Sequence, residues 1–218
     1  MHFRGGKMPI FEKSGRRIYF AHITKSGGTS IYSAFAESGW TVKNLSKSRD
    51  PRTAFANLKK RYGITEIERE GRMFRYPHPP QHVPKLIWWT WGPFETSFAI
   101  VREPKSRLLS AIRYHHRMRH PNEDFQNYAG SLLESILSRP YRVFTFLDGH
   151  LIPQYHFVAR KTEVFRFEED WGQAISSRFG VPVPPVDNMA PVNDQSLPPG
   201  WETLSERLYK FDFRRFSY

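Results

Sequence analysis

The chain of 218 residues contains no cysteine. That excludes a disulfide framework, a thiolate metal site and a cysteine nucleophile. No apolar run approaches the ~18 residues that a membrane-spanning helix needs. Residues 1–13 are polar and lack the apolar segment of a secretory leader, so the expected location is the cytoplasm. There is no internal repeat and no low-complexity tract, which excludes a solenoid. Acidic residues are scarce: 21 Asp+Glu stand against 33 Lys+Arg, leaving a net charge of +12 and a pI near 10. Such a surplus favours an anionic partner, whether nucleic acid, a phosphorylated cofactor or an acidic polymer.

Aromatic residues, in contrast, are abundant. With 18 Phe, 10 Tyr and 6 Trp, the chain has ample apolar surface for a core, and wholesale disorder is excluded. The length suits one domain, expected to span 1–218 with 1–15 as a candidate flexible stretch and 182–200 as a proline-rich loop. Residues 18–23 (IYFAHI) form a short β-rich run, and Thr24-Lys25-Ser26-Gly27-Gly28-Thr29-Ser30 follows as a loop of small residues. Ile31, Ala34 and Phe35 then recur at helical spacing up to Gly39. A helix is expected at 51–62, a proline-stiffened loop at 76–84, and a strand or buried turn at 85–91.

Residues 98–102 (FAIVR) make a second β-run, and Pro104 opens a helix to about Met118. Further helices are expected at 123–138 and 142–158. A strand follows at 163–167, then helices at 169–179 and 201–211. Strands alternating with helices predict an α/β fold with a central, mainly parallel sheet, in which ligands bind at the carboxyl ends of the strands.

The 24–30 loop therefore sits where a helix N-terminus offers unpaired N–H groups and positive potential to an anion. The competing reading is a plain glycine turn with a Ser/Thr helix cap. The nucleoside-triphosphate pattern G-x-x-x-x-G-K-[ST] is absent, because here the lysine precedes the glycines. No apolar strand ending in Asp offers a magnesium ligand.

The run FAHITKSGGTSIYSAF resembles the 5′-phosphosulfate loop of the sulfotransferases, in the carbohydrate-type branch like sulfotransferase family 2, whose loop reads roughly F-x-H-x-P-K-[ST]-[GA]-[GT]-T-S. FAIVREPKSRLLSAI resembles that family's 3′-phosphate motif, V-R-[DE]-P-x-x-R-x-x-S, and the two occur in the family's order. Weaker echoes are His150-Leu151-Ile152-Pro153-Gln154 (H-x-x-P-Q), VFRFE at 164–168, and the tail LYKFDFRRFSY. Thr24 stands where the family usually has proline. The resemblance covers most of 18–218, with 40–75 unmatched.

The resemblance implies a P-loop NTPase-like sulfotransferase fold and transfer of a sulfuryl group from 3′-phosphoadenosine 5′-phosphosulfate to a hydroxyl acceptor, with no metal expected. Lys25 would meet charge developing on the bridging oxygen. Ser26, Gly27, Gly28, Thr29 and Ser30 would hold the 5′-phosphate, and Arg102 and Ser110 the 3′-phosphate. Arg102 has an ion pair with Glu103 as its competing reading. An acceptor base is expected between the motifs, where His82 is preferred and His78 comes second; the competing reading is a solvated turn. Glu103 is a weaker base candidate, and His22 is expected to pack under the loop. Trp88, Trp89 and Trp91 are either core or an acceptor-stacking platform. The basic stretch 102–119 reads as a solvated helix face beside a site for the multiply charged donor, as a groove for an anionic acceptor such as an acidic saccharide, or as a nucleic-acid surface; the acceptor itself is expected to be an acidic or neutral saccharide. Nucleic-acid binding, a nucleotide-dependent kinase and a binding protein of degenerate sulfotransferase fold are the alternatives.

Overall fold

The computed structural model describes residues 9–44, 66–69, 72–75, 93–144, 146–183 and 196–218. The helix expected at 51–62, His78, His82 and the Trp88, Trp89, Trp91 cluster lie outside the described residues.

Five strands form one sheet: β1 (Pro9–Lys13), β2 (Arg16–Phe20), β3 (Thr41–Asn44), β6 (Thr96–Val101) and β7 (Thr162–Arg166), in the order β3-β1-β2-β6-β7. The pairs β2–β6 and β6–β7 are parallel, while β1 is antiparallel to both of its neighbours. Four of the five strands therefore run one way, and the protein is α/β. A separate antiparallel ribbon pairs β4 (Glu66–Arg69) with β5 (Arg72–Arg75). Residues 9–13 lie in the stretch expected to be flexible. They are a strand instead, because Ile10 and Phe11 are buried and Ser14-Gly15, both at positive φ, close a two-residue hairpin.

The helices are α1 (Gly28–Glu37), α2 (Pro104–Arg119), α3 (Phe125–Ser138), α4 (Trp171–Phe179), α5 (Trp201–Leu208) and α6 (Lys210–Phe216). Several start on a carboxylate cap: Glu103 accepts from Lys105 and Ser106 N–H, Asp124 from Asn127 and Asp170 from Gln173. Glu103 is thus engaged as a cap, and its charge also acts on the neighbouring Arg102 guanidinium. The helix expected at 201–211 is two helices, broken at Tyr209.

Alternate sheet residues face two layers. Phe11, Ile18, Phe20, Phe98 and Ile100 pack against α1 and α4, through Phe35, Trp171, Ile175 and Phe179 among others. Ile10, Tyr19, Ala99 and Val101 pack on the other face against Ile152, Phe157, Val158 and Phe216. A third cluster joins α2, α3 and α5.

No α-helix forms over 142–158. The segment is three short 3-10 turns, at Pro140–Phe144, Phe146–Gly149 and Gln154–His156. Short-range backbone bonds close its turns, but the carbonyls of residues 150–152 accept from side chains of distant elements. The guanidinium of Arg107, fully buried, donates to the carbonyls of His150 (3.0 Å) and Ile152 (3.0 Å), and the Tyr209 hydroxyl donates to that of Leu151 (3.0 Å). A helix would have consumed those acceptors internally. Among the described residues no helix is long and apolar enough to cross a membrane.

Candidate functional site

The parallel register of β2 and β6 (Ile18 opposite Thr96, Phe20 opposite Phe98) sets the two motif loops side by side at the carboxyl ends of both strands. The Ala21 N–H still bonds the Phe98 carbonyl at 2.8 Å, and only then does the chain curl into the loop. Lys25 (φ 63°) and Gly27 (φ 77°) both adopt left-handed backbone. For a lysine that conformation is uncommon and costs on the order of 1 kcal/mol or more. Gly27 caps α1 without any side-chain hydrogen bond, so the first-turn N–H groups of Gly28, Thr29 and Ser30 are left for an external acceptor. The Ser/Thr cap of the competing reading is not formed.

The loop's side chains divide between interior and exterior. Ser26 is fully buried with Oγ turned 3.5 Å from the Thr24 carbonyl, so it can offer an anion its N–H but not its hydroxyl. Thr29 is exposed and Ser30 is buried. Both glycines are also required by packing. A Cβ on Gly28 would fall 2.0 Å from His22 Nε2, and one on Gly27 would fall 2.9 Å from the Trp171 ring. His22 thus packs under the loop, and burial lowers its pKa to about 4 and keeps it neutral. Thr24, in the place of the resembled proline, is buried and its hydroxyl donates to the His150 carbonyl at 3.4 Å.

Arg102 follows the last residue of β6. Its backbone is clamped by one buried amide: its N–H donates to Gln154 Oε1 and its carbonyl accepts from Gln154 Nε2, both at 2.8 Å. Gln154 is held in turn by Asp212, fully buried, whose carboxylate accepts from the N–H groups of Gln154 and Tyr155 at 2.8 Å each. The Arg102 guanidinium lies 4.5 Å over the Phe167 ring and donates to the Lys25 carbonyl at 3.1 Å. Its Nε is buried and makes no hydrogen bond. A donor left in that state suits an incoming anion.

Lys25 places Nζ 4.4 Å over the Tyr114 ring. Burial first, then the charges of Arg117 and Arg102, lower its pKa to about 8. Among the described residues no carboxylate pairs with it. Ser110 sits half-buried one turn before Tyr114 and so shares its face of α2. Arg107 belongs to the scaffold: it braces the 150–152 turn and Thr24 (3.5 Å) and offers no charge to a ligand.

The structure thus brings Lys25, the 26–30 backbone and Arg102 together, with Ser110 on the adjoining helix. Two histidines passed over in the sequence also lie here. His115 Nε2 is 2.7 Å from His150 Nδ1. The HLIPQ pattern marked His150, but nothing in the local sequence marked His115, whose relevance comes from a contact 35 residues away. No protein-family model, curated protein or solved structure matches the chain.

Proposed function

We propose that this protein is a sulfotransferase that moves a sulfuryl group from 3′-phosphoadenosine 5′-phosphosulfate to a hydroxyl acceptor, a saccharide being the class that fits best. The observation that carries this reading is the joining of two anion-seeking groups on neighbouring parallel strands. The uncapped N-terminus of α1 with Lys25, and the buried, unpartnered Nε of Arg102, are tied through the Lys25 carbonyl. A donor with a 5′-phosphosulfate and a 3′-phosphate needs two such groups in one cleft. In the transfer, the acceptor oxygen attacks sulfur in line, the bridging S–O bond breaks, and adenosine 3′,5′-bisphosphate leaves with the bonding pair. A lysine with a pKa near 8 suits neutralisation of that leaving oxygen.

The test is a thermal-shift titration with adenosine 3′,5′-bisphosphate. At a hundredfold excess over Kd, mass action adds about 2.7 kcal/mol, or about 5–10 °C for a chain of this size. Magnesium-ATP should give less. No shift at millimolar ligand overturns the reading, and a larger, magnesium-dependent shift with ATP favours a kinase.

A further inference from the structure

The donor reading uses none of the positive charge on α6. One side of this helix is turned to the core. Tyr209 just before it and Asp212 within it are fully buried, and Phe216 joins the cluster on the sheet face away from α1 and α4. Its other side is turned out: Lys210, Phe211, Arg214 and Arg215, at i, i+1, i+4 and i+5, are all exposed and share that side. Phe211 is 57% exposed, with its ring 5.3 Å from that of the half-buried Tyr155. Arg215 donates to the Ala159 carbonyl at 3.2 Å, which brings the exposed Arg160 and Lys161 alongside the same helix.

A single exposed phenylalanine is ordinary. What sets this one apart is the charge around it. Residues 154–161 and 207–217 contain one acid, Asp212, and its carboxylate is turned inward onto the N–H groups of Gln154 and Tyr155. The acids that precede α6, Glu202 and Glu206, are engaged with Lys105. Among the described residues no carboxylate pairs with Arg160, Lys161, Lys210, Arg214 or Arg215.

An apolar ring raised among unpaired cations is complementary to a surface that is anionic outside and apolar beneath. A bilayer containing acidic phospholipid has that order, with phosphates at the depth of the cations and acyl chains at the depth of the ring. A nucleic-acid strand supplies the charge but is held in a groove with successive stacking rings. Here the face is the convex side of a helix and carries one exposed ring. We propose that α6 and the 159–161 turn form a docking surface for an anionic membrane. Phe211 enters the upper acyl region while the five cations meet headgroup phosphates. The protein binds there peripherally and reversibly. None of these side chains belongs to the donor site, so the proposal stands independently of the donor reading.

The lack of cysteine makes a direct test available. Phe211→Cys creates a unique thiol for an apolar, polarity-sensitive nitrobenzoxadiazole dye. Ser177→Cys does the same at an exposed position on α4, which covers the opposite face of the sheet. The full-length protein is mixed with phosphatidylcholine vesicles, either pure or with about a third of phosphatidylserine. Expected are sedimentation with the acidic vesicles only, and a blue-shifted, brighter dye at 211 but not at 177. Raising salt from about 0.1 to about 0.5 M should weaken binding at least about tenfold. In unlabelled protein, Lys210→Gln combined with Arg214→Gln should weaken it about 25-fold, at about fivefold for each cation removed. Phe211→Ser should weaken it at least about fivefold. These positions are exposed, so both variants should keep the circular dichroism of the wild type. Absence of binding to acidic vesicles overturns the proposal, as does binding that leaves the dye at 211 in water or is unchanged by the paired glutamines. A single-stranded oligonucleotide bound more tightly than the vesicles, and lost with Phe211→Ser, makes the face a nucleic-acid surface and overturns it as well.

Discussion

Replacing Lys25 with methionine should make the ligand-free protein more stable while abolishing its response to adenosine 3′,5′-bisphosphate. The ammonium is held over Tyr114 with Arg102 and Arg117 acting on it and, among the described residues, no carboxylate paired to it. A fall in pKa from 10.5 to about 8 corresponds to about 3 kcal/mol, at 1.36 kcal/mol per pKa unit. Part of that is screened by solvent, and the variant also loses a cation–π contact of about 0.5–2 kcal/mol. The net gain at pH 7 should be about 1–2 kcal/mol, or about 2–8 °C in Tm.

The pH dependence gives the decisive signature. A base whose folded pKa is depressed destabilises the fold fully below about 8, less between 8 and 10.5, and not at all above its unfolded value. The advantage of Lys25→Met should therefore be largest near pH 7 and fade by pH 10.5. Ligand stabilisation of the wild type should be strong at pH 7 and weaken as pH rises past 8, when the free lysine is already neutral. Urea denaturation at pH 7, 9 and 10.5, with and without ligand, measures both. If Lys25→Met is less stable than wild type at pH 7 without ligand, the lysine is not a site of unrelieved charge. If the variant is stabilised by ligand as much as the wild type, the lysine does not face the anion.

Asp212→Ala should destabilise by about 2–4 kcal/mol in urea denaturation, since the N–H groups of Gln154 and Tyr155 lose their buried acceptor; a loss below 1 kcal/mol would mean the carboxylate is dispensable. Gly28→Ala should cost about 1–3 kcal/mol through collision with His22. Adding His22→Ala should recover at least 1 kcal/mol of coupling in a double-mutant cycle, and strictly additive losses would remove that contact from the explanation.

The strand–glycine loop–helix unit and the FAIVR strand were legible because each is local. Hydrophobic runs, glycines at positive φ and Pro104 at a helix start all act within a few residues. Strand β1 was not, because its five residues PIFEK carry only two buried apolar side chains and gain their identity from pairing with β2 and β3. The 142–158 segment misled for a related reason. Its apolar content suits a helix, but its carbonyls are claimed by Arg107 and Tyr209 from distant elements. The roles of Gln154, Asp212 and Arg107 were equally hidden: the motifs contained them, but only the fold turned them into a brace behind Arg102.

The placement of carboxylates sharpens what the surplus positive charge means. Glu163 pairs with Arg178, Glu95 with Arg16, Glu12 with Arg17, and Glu202 and Glu206 with Lys105. Beside Arg102, Glu168 accepts from the Glu103 N–H at 2.8 Å and the Tyr218 hydroxyl at 2.9 Å while its charge also acts on the guanidinium. The chain thus has acids enough to neutralise cations along its surface, where the pairs contribute little. Among the described residues none pairs with Lys25, whose burial makes an uncompensated charge costly. A fold that holds a cation at a strained left-handed position, unpaired and next to two arginines, is unfavourable unless something anionic relieves it. A bound anion would supply the counter-charge that the described residues do not, so the Lys25→Met titration tests the proposed anion site before it tests any single residue's chemistry.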